Sequence, residues 1–518
     1  MKKKLVSLVM TGAMFAGLVA GCGSDGGADS TADQNSGVDS KASSEAAADS
    51  EELYEVVMQW PSAGDTPSSL EAVEAAVNEM VADLGVKVKL EPVGAYTIAS
   101  DTSLAISSGE KLDLVCSMFS GVGNLASSGG IIPLDEYLEE YGQDIVSVCG
   151  ELQMKAGLYD GQTYGIPVHY ADGSDMGFVV RKDLMEKYVP DFDEDKFYNF
   201  DELTEMFTAI KEGEGENFYI MAGGYNSDTL FQCVKRMDLL GQGIAGGVLF
   251  VDGSGSTTVV NPFATEEYAE FAQLMYEWNQ AGFFPSDAAT NTESYYTQIG
   301  AGNFLGAPTG DTAGTTAPNY SAAIGREVTF IKTSPAVSMS TAYNMILWSI
   351  SSTSENPAKA MTFLNEIYAN ADLANLLQYG FEGETYEVVE SDDKGTVIQL
   401  KEGLTTMTAP YWQNFYLWGD RLQWYIMAPD TTDANERCKA FEVDTISPAL
   451  GYTFKIDNVS AQYSAVDSVI QQYLGIVQTG SIDPAQELPE FLQALEDAGY
   501  NEVIAENQRQ LDAWLAEQ

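Results

Sequence analysis

The chain has 518 residues, too many for one ordinary hydrophobic core, because domains usually run to about 100–200 residues. Its residues are 45% hydrophobic and 11% aromatic, which is enough to build large cores. The formal net charge of -52 argues against nucleic acid and anionic lipid headgroups as partners, since so acidic a surface repels phosphate.

The N-terminus has the pattern of an export signal. Three lysines at positions 2–4 precede an uncharged run over residues 5–21 that ends in small residues. A membrane-spanning helix needs about 20 apolar residues, so this run is typical of a secretory signal peptide instead. The junction Val19-Ala20-Gly21-Cys22 resembles the lipobox of a bacterial lipoprotein. That resemblance implies a signal peptide over residues 1–21, cleavage before Cys22 and a diacylglyceryl (palmitate-type) lipid on its thiol; an ordinary signal peptide with a chance cysteine is the alternative.

A low-complexity segment follows the cysteine. Residues 23–52 consist mainly of Gly, Ser, Ala, Asp and Glu and contain few large apolar side chains. Such a segment cannot bury enough surface to fold, so residues 22–52 are predicted to be the lipidated cysteine and a disordered tether. No later stretch of the sequence is long and apolar enough to cross a bilayer, so the lipid would be the only anchor.

The next segments predict a parallel sheet. "YEVVMQW" (residues 54–60) reads as a strand, and the following apolar residues from Leu70 to Leu84 recur at helical spacing. Ser68 and Glu71 have the spacing of a capping box at the start of that helix. "VKVKLEPV" alternates like a strand, "SLAISSGE" suggests a short helix and "LDLVCSMF" a buried strand. Strands that alternate with helices indicate an α/β fold with helices on both faces of the sheet.

The same pattern returns later in the chain. "MGFVVRKDL", "FYIMAGGY" and "NMILWSISS" read as strands, and "ENPAKAMTFLNEIYANADLANLLQYG" as a long helix that ends at Gly380. The stretch from Val459 onward is mainly helical, with breaks at "TGSIDP" and Gly499.

The order of these segments resembles the family 1 extracellular solute-binding proteins of bacterial ABC importers, over most of the mature chain. "SSGGIIPLDEYLEEYG", "LYDGQTYGIPV" followed by "GFVVRKDLMEKY", and "SENPAKAMTFLNEIY" carry the resemblance. "YGFEGETYEV" and the stretch from "GYTFKIDN" to residue 518 look like one subgroup of these lipoproteins, whose ligands are mostly sugars. The resemblance implies a two-lobed, periplasmic-binding-protein-like (type II) fold with a helical C-terminal region. It places residues 53–168 and 334–400 in lobe 1 and residues 169–333 and 401–518 in lobe 2.

The function implied by the resemblance is that of a solute-binding protein, not an enzyme. It would capture a sugar or oligosaccharide between its lobes and deliver it to ABC permease subunits. It would be a monomer without a cofactor or metal, anchored to the extracellular face of the cell membrane through the lipid on Cys22. A secreted, lipid-anchored glycoside hydrolase and a surface adhesin are the alternatives.

Candidate ligand contacts follow the predicted strands, because loops at the carboxyl ends of strands form the crevice of open α/β sheets. They are Trp60 after the first strand, Ser117, Met118 and Phe119 after the third, and Tyr225 and Asn226 after "FYIMAGG". His169 and Tyr170 lie near the predicted first crossing between the lobes, and Tyr343 and Asn344 near the second.

The stretch "APYWQNFYLWGDRLQWY" (residues 409–425) is the most aromatic of the sequence. A single large aromatic residue is more often part of a core than of a site. Seven aromatics cannot all face one core at helical spacing, however, and Gly419, Asp420 and Arg421 interrupt the run. We therefore predict that Trp412 or Trp418 stacks on a sugar ring and that Asp420 or Asp311 accepts hydroxyl protons.

Catalytic and metal motifs are weak. His169 is the one histidine of the chain and has no nucleophile-elbow pattern beside it. The acidic segment from Asp191 to Glu202 has the ligand spacing of a calcium loop, but Lys196 occupies the position that needs glycine, which favours a metal-free loop. "GQGIAGG" lacks the Lys-Ser/Thr of a phosphate-binding loop.

Four cysteines remain after Cys22, at positions 116, 149, 233 and 438, and none forms a C-x-x-C pair. An exported protein could oxidise them, and four cysteines allow three connectivities. Because Cys116 lies in an apolar run, where a buried free thiol is the commoner state, we predict no essential disulfide.

Overall fold

The structure is a computed structural model, and it describes residues 53–118, 121–223, 228–291, 293–339, 343–443 and 445–517. The predicted signal peptide, Cys22 and the tether lie outside the described residues. Among the helices that are described, none combines the length and the apolar character that crossing a membrane requires.

The strands, in chain order, are β1 (Tyr54–Ser62), β2 (Val86–Gly94), β3 (Leu114–Met118), β4 (Leu158–Tyr159), β5 (Gln162–Thr163), β6 (Ile166–Pro167), β7 (Ser174–Arg181), β8 (Tyr219–Met221), β9 (Met237–Asp238), β10 (Leu249–Phe250), β11 (Phe304–Asp311), β12 (Val328–Ser338), β13 (Ile346–Ile350), β14 (Tyr386–Ser391), β15 (Thr396–Leu400), β16 (Ile426–Met427) and β17 (Thr445–Ile446).

The α-helices are α1 (Leu70–Val81), α2 (Ile98–Ser108), α3 (Gly123–Ser127), α4 (Asp135–Tyr141), α5 (Gln143–Met154), α6 (Lys182–Tyr188), α7 (Phe200–Glu214), α8 (Thr229–Gln232), α9 (Glu266–Gln280), α10 (Tyr295–Ala301), α11 (Thr316–Ile324), α12 (Pro357–Ala369), α13 (Ala371–Tyr379), α14 (Ala434–Lys439), α15 (Ser460–Gln478), α16 (Pro484–Asp497) and α17 (Tyr500–Leu515).

Lobe 1 is built on a five-stranded sheet of order β2-β1-β3-β13-β6. β1 runs parallel to β2 and β3, and β13 runs antiparallel to β3 and β6. Alternate residues of β1, Val56, Met58 and Trp60, enter the same core as the buried valines of α1. This is the period-two burial that one face of a strand requires.

Lobe 2 is built on a second five-stranded sheet, of order β17-β12-β7-β11-β8. β7 is antiparallel to β11 and β12, while β8 pairs parallel with β11 and β17 pairs parallel with β12. One core contains Phe178 of β7, Phe207 of α7 and Phe271 of α9. The C-terminal helices contribute Phe491 and Leu511 to that same core, so they are an integral part of lobe 2.

Two of the segments that join the lobes are tied together. One leads from β6 to β7 and the other from β12 to β13, so both connect the same edges of the two sheets. The hydroxyl of Tyr343 donates to the backbone oxygen of Asp172 at 2.7 Å and bonds Ser338 Oγ at 2.5 Å. Tyr343 therefore joins the two connections to each other.

The lobe boundaries differ from the sequence-based ones at two places. Tyr411, Trp418 and Trp424 belong to the core of lobe 1, so residues 401–427 do not lie in lobe 2 as the sequence suggested. β12 pairs with β7 through Val337, so residues 334–338 belong to lobe 2 and not to lobe 1. In both cases the partner strand or helix is distant in sequence, and local pattern gives no sign of it.

The predicted capping box at Ser68 and Glu71 is wrong. Helix α1 begins at Leu70, and its N-cap residue, Ser69, makes no side-chain capping bond because its hydroxyl bonds Glu384 instead. The box occurs at α7, where Asn199 Oδ1 accepts from Glu202 N at 2.9 Å and Glu202 accepts from Asn199 N at 3.0 Å.

Candidate functional site

The carboxyl edges of the two sheets border a common cleft. β1, β2 and β3 end at Ser62, Gly94 and Met118 on the edge from which the lobe connections leave. In lobe 2, β8 and β11 end at Met221 and Asp311 on the corresponding edge, where β7 begins. Because both connections join these two edges, the strand-end loops of both lobes face the same gap, as expected for ligand sites of open α/β sheets.

The first connection is held by the segment around Asp420. His169 N donates to the oxygen of Gly419 at 2.9 Å, and Arg421 N donates to the oxygen of His169 at 3.0 Å. The two side chains meet as well, with 2.6 Å between His169 Nδ1 and Asp420 Oδ1. Asp420 also accepts from Leu422 N at 3.0 Å and Gln423 Nε2 at 2.9 Å.

These bonds stabilise the ionised form of Asp420. Burial alone would raise the pKa of this carboxyl, but the hydrogen bond and charge of His169, together with the Gln423 and Leu422 donors, lower it below its ordinary value. Both carboxylate oxygens of Asp420 therefore already have hydrogen-bond partners within the protein. The prediction that it receives sugar hydroxyls is not supported by this geometry.

Arg421 lies between two tyrosine rings. Its guanidinium carbon is 3.7 Å from the ring centroid of Tyr170 and 3.9 Å from that of Tyr416, with Trp424 farther away at 5.8 Å. Tyr416 is 46% exposed, so the outer ring of this stack is open to solvent. The hydroxyl of Tyr170 contacts Cys438 Sγ at 3.2 Å. This stack lies at the base of the cleft, since Tyr170 belongs to the first connection between the lobes.

Lobe 2 presents a tyrosine cluster at its own cleft edge. The rings of Tyr295 and Tyr320 stack at 5.8 Å, and Tyr296 lies 4.4 Å from Tyr295. The hydroxyl of Tyr320 bonds those of Tyr295 and Thr309, each at 2.9 Å. Burial is the main cause that raises the pKa of Tyr296.

Trp418, one of the two predicted stacking residues, and Trp60, a predicted ligand contact, are core residues. Trp418 is 0% exposed, stacks on Trp348 at 5.6 Å and meets the edge of Trp60, which is also fully buried. With no exposed ring face, neither Trp60 nor Trp418 can stack on a sugar in this conformation. Trp412 is half-buried against Tyr379, at 5.0 Å between ring centroids, and keeps part of its surface in solvent.

Two other predicted residues have structural partners. Tyr343 is buried in the lobe connection described above. Asp311 is 2% exposed, and its carboxylate accepts from Gly314 N at 2.8 Å and Thr316 N at 2.9 Å, which fixes the loop after β11. Tyr170 lies on the first connection between the lobes, with its ring against Arg421. Phe119, Tyr225 and Asn226 lie outside the described residues.

Several cleft residues were missed as candidates. Tyr416 and Arg421 lie inside the aromatic stretch that the sequence singled out, but neither was chosen over the tryptophans. The doublet Tyr295-Tyr296 directly follows a serine N-cap, Ser294, and so projects from the first turn of α10. Tyr96 follows β2 at the carboxyl edge of lobe 1 and is fully exposed. The sequence offered one sign of Tyr96 as a candidate, namely an aromatic residue directly after a strand of alternating pattern.

The calcium-like loop holds a side-chain cation. Lys196 Nζ lies 2.5 Å from Glu202 Oε1, the carboxylate that would occupy the twelfth ligand position. The pKa of Glu202 is lowered chiefly by this bond. Within the described ranges, no group of three potential metal-ligating side chains is close enough to hold an ion. All four described cysteines are buried free thiols.

A cavity of about 510 Å³ borders lobe 2 next to the tyrosine cluster, because Ala317 and Ser321 of α11, the helix that carries Tyr320, are among the residues that line it. It is lined by Asp175, Lys182, Glu194 and Lys332, with Phe441 among its few aromatic side chains. Its lining carries both acidic and basic groups, and only Phe330 and Phe441 among the lining residues are aromatic. We place the ligand site in the cleft instead, where tyrosines of both lobes and the connecting segment converge.

Two α/β lobes joined by tied connections, with aromatic side chains in the gap between them, define a two-lobed binding protein. Residues 63–373 match the family model described as bacterial extracellular solute-binding protein. The chain belongs to this family, as its resemblance indicated. Residues 448–516, which include α15–α17, match a domain of unknown function (DUF3502).

Relatives with described roles cover nearly the whole chain. A carbohydrate ABC transporter substrate-binding protein of Streptococcus pneumoniae is 26% identical over 477 residues, 89% of this chain and 91% of the relative. The crystal structure of an N-glycan transport solute binding protein (NgtS) from Streptococcus pneumoniae is similar, with a TM-score of 0.76 at 23% identity over 89% of this chain and 99% of the other. Its complex with Man5GlcNAc gives a TM-score of 0.65 at 23% identity, over 90% and 99% of the two chains.

Proposed function

We propose that this protein is the solute-binding component of an ABC importer, which captures a sugar or oligosaccharide between its lobes and delivers it to permease subunits. The observation that carries the proposal is the pairing of aromatic surfaces across the cleft. Tyr416 and Tyr170 flank Arg421 on one side, and Tyr295, Tyr296 and Tyr320 form the cluster on the other.

Sugars suit such a surface for a physical reason. A pyranose presents apolar C–H patches on its faces and hydroxyls at its rim, so it matches an aromatic ring and nearby hydrogen-bonding groups together. Tyrosine supplies both a ring face and a polar tip. The S. pneumoniae relatives named for carbohydrate transport, and the one crystallised with Man5GlcNAc, support an oligosaccharide ligand.

The ligand would be enclosed by hinge motion of the lobes. The connections that bend are those tied by His169, Asp420 and Tyr343, and closure would bring the two tyrosine groups onto opposite faces of the sugar. The single histidine then serves as a structural residue of the hinge. We propose accordingly that the protein binds its sugar without hydrolysing it.

Calorimetry against a panel of oligosaccharides that includes Man5GlcNAc tests this proposal. Saturable binding without products on chromatography is expected. Tyr416→Ala and Tyr296→Ala should each weaken binding about tenfold to a hundredfold, by analogy with stacking on nucleobases. Leu104→Ala is the control, because Leu104 is 71% exposed on α2. Hydrolysis of any panel member, or wild-type affinity in both tyrosine variants, would overturn the assignment.

We also propose that the protein is held at the extracellular face of the cell membrane by a lipid on Cys22. The support is the lipobox-like junction ahead of a polar segment. One acyl chain binds membranes only marginally, so the two chains of a diacylglyceryl group are required. Fatty-acid labelling should mark the wild type and not Cys22→Ser, which should appear in the medium. An unlabelled wild type that remains bound to membranes would contradict the proposal.

A further inference from the structure

We propose that the sugar bound in the cleft carries a carboxylate, as a uronic acid residue does, and that Arg421 receives it. This inference deepens the proposed function and rests on it. The residues that carry it are Arg421 and the two tyrosines that hold its guanidinium, Tyr170 and Tyr416.

Two tyrosine rings hold the guanidinium of Arg421 in position, but the group has no ion-pair partner among the described residues. Among the described residues its side chain has no hydrogen-bond acceptor and no acidic partner within ion-pair distance, and its Nε is enclosed without a partner. The other five arginines of the sequence each have an acidic or backbone partner, although the Nε of Arg236 is also enclosed without one. Arg181, Arg437 and Arg509 form ion pairs, and Arg236 and Arg326 donate to backbone oxygens.

An unpaired arginine is notable in so acidic a protein. The chain has 77 acidic residues against 25 basic ones, so a carboxylate partner was readily available. Asp420, the neighbour in sequence, directs its carboxylate to His169, Leu422 and Gln423 instead. Burying part of a cation without an anion beside it is unfavourable. A ligand that brings an anion to Arg421 would offset this cost and so bind more tightly.

The geometry selects a flat anion. Tyr170 and Tyr416 cover the two faces of the guanidinium, so a ligand can reach only its edge, where the terminal nitrogens are not enclosed. That edge is a planar fork of N–H donors whose spacing matches the two oxygens of a carboxylate. A sugar that lies beside the stack, next to Tyr416, would bring an exocyclic carboxylate to this edge. A neutral hydroxymethyl group at the same position offers one weaker acceptor.

The test compares acidic oligosaccharides with their own neutral forms. Hydrolysates of polyuronic acids are assayed by calorimetry before and after chemical reduction of each carboxyl to a hydroxymethyl group, alongside the neutral panel used above. The proteins are the wild type, Arg421→Gln, Arg421→Lys and, as a matched control, Arg509→Gln, since the Arg509 side chain is exposed on the outer face of α17. Melting temperatures identify any variant that fails to fold.

We expect the wild type to bind at least one acidic oligosaccharide and to lose about tenfold or more in affinity when its carboxyls are reduced. Arg421→Gln should lose as much, Arg421→Lys less, and Arg509→Gln nothing. Binding of neutral sugars alone, or equal affinity for acidic and reduced forms, overturns this inference and leaves the proposed function intact. If the wild type binds neither the acidic nor the neutral oligosaccharides, both this inference and the proposed function are overturned. The reduction arm uses only the wild type, so a misfolded variant does not affect the decision.

Discussion

His169 and Asp420 are 251 residues apart in sequence and 2.6 Å apart in space, between Nδ1 and Oδ1. His169 belongs to the segment that leaves lobe 1 for lobe 2, and Asp420 to the aromatic stretch that packs into lobe 1. The backbones of the two segments also pair, so the start of this connection is held against lobe 1 by both backbone and side chains.

Replacing Asp420 by Asn should destabilise the protein in a pH-dependent way. The folded pKa of Asp420 is lowered, so its stabilising contribution is present above the unfolded pKa of about 3.9 and is lost as pH falls through the folded value. At pH 7 the variant should lose about 1–3 kcal/mol, as expected for a buried hydrogen bond to a charged group. Urea unfolding at pH 7 and pH 3 measures the difference, which should shrink at the lower pH.

Asp457→Asn is the control for that experiment, since Asp457 is exposed and belongs to neither of the two connections. Its unfolding free energy should match that of the wild type at both pH values. An equal loss for Asp420→Asn at pH 3 and pH 7 would show that its effect is steric and not electrostatic.

Trp418→Ala should unfold the protein more readily than Trp412→Ala. Trp418 fills the core between Trp348 and Trp60, whereas Trp412 is only half-buried. Truncating a fully buried tryptophan costs about 3–5 kcal/mol, and a half-buried one should cost less. Thermal unfolding followed by circular dichroism ranks the two. If Trp412→Ala melts at the lower temperature, the placement of these rings is incorrect.

Gly419→Ala should be strongly destabilising for its size. Gly419 has φ of +54°, and a Cβ there would collide with the backbone oxygen of Ile367 on α12. Left-handed strain and the collision together should cost about 2 kcal/mol or more. Gly403→Ala separates the two causes, because Gly403 has φ of +85° with open space around it. Equal melting temperatures for the two variants would mean that the collision is relieved at no cost.

Calcium should not change the melting temperature of the wild type. The ammonium of Lys196 already bonds Glu202 in the loop that resembles a calcium site. Lys196→Gly removes this cation and supplies the glycine that such a loop needs at its sixth position. Scanning calorimetry with calcium and with EDTA should therefore reveal a response in the variant alone. A calcium-dependent shift in the wild type would contradict this account.

The fold was largely predictable because its strands are strongly patterned. "YEVVMQW" and "LDLVCSMF" became β1 and β3, and the resemblance supplied the two lobes. The local sequence pattern did not show that residues 401–427 belong to lobe 1. Those residues contain little regular structure, and their placement depends on packing against α12, α13 and β13, which lie earlier in the chain.

The site was less predictable than the fold. Trp418 and Tyr416 are two residues apart, and both are large aromatics, yet one is fully buried and the other 46% exposed. Trp348 decides this difference by stacking on Trp418, and nothing in the sequence pairs them. Likewise, only the structure reveals that Arg421 has no acidic partner among the described residues, although Asp420 precedes it.

The packing of α15–α17 has a consequence for the order in which the protein can fold. The ring of Phe491 meets Phe263 at 4.9 Å, and Asn507 Nδ2 donates to the oxygen of Gly246 at 2.7 Å. The sheet of lobe 2 is thus synthesised long before the helices that cover its core. Until residues 460–515 leave the ribosome, the nascent lobe exposes Phe263, Phe271 and their neighbours to water. Its final collapse must wait for contacts of very long sequence separation, which form slowly and leave apolar surface open to aggregation in the meantime.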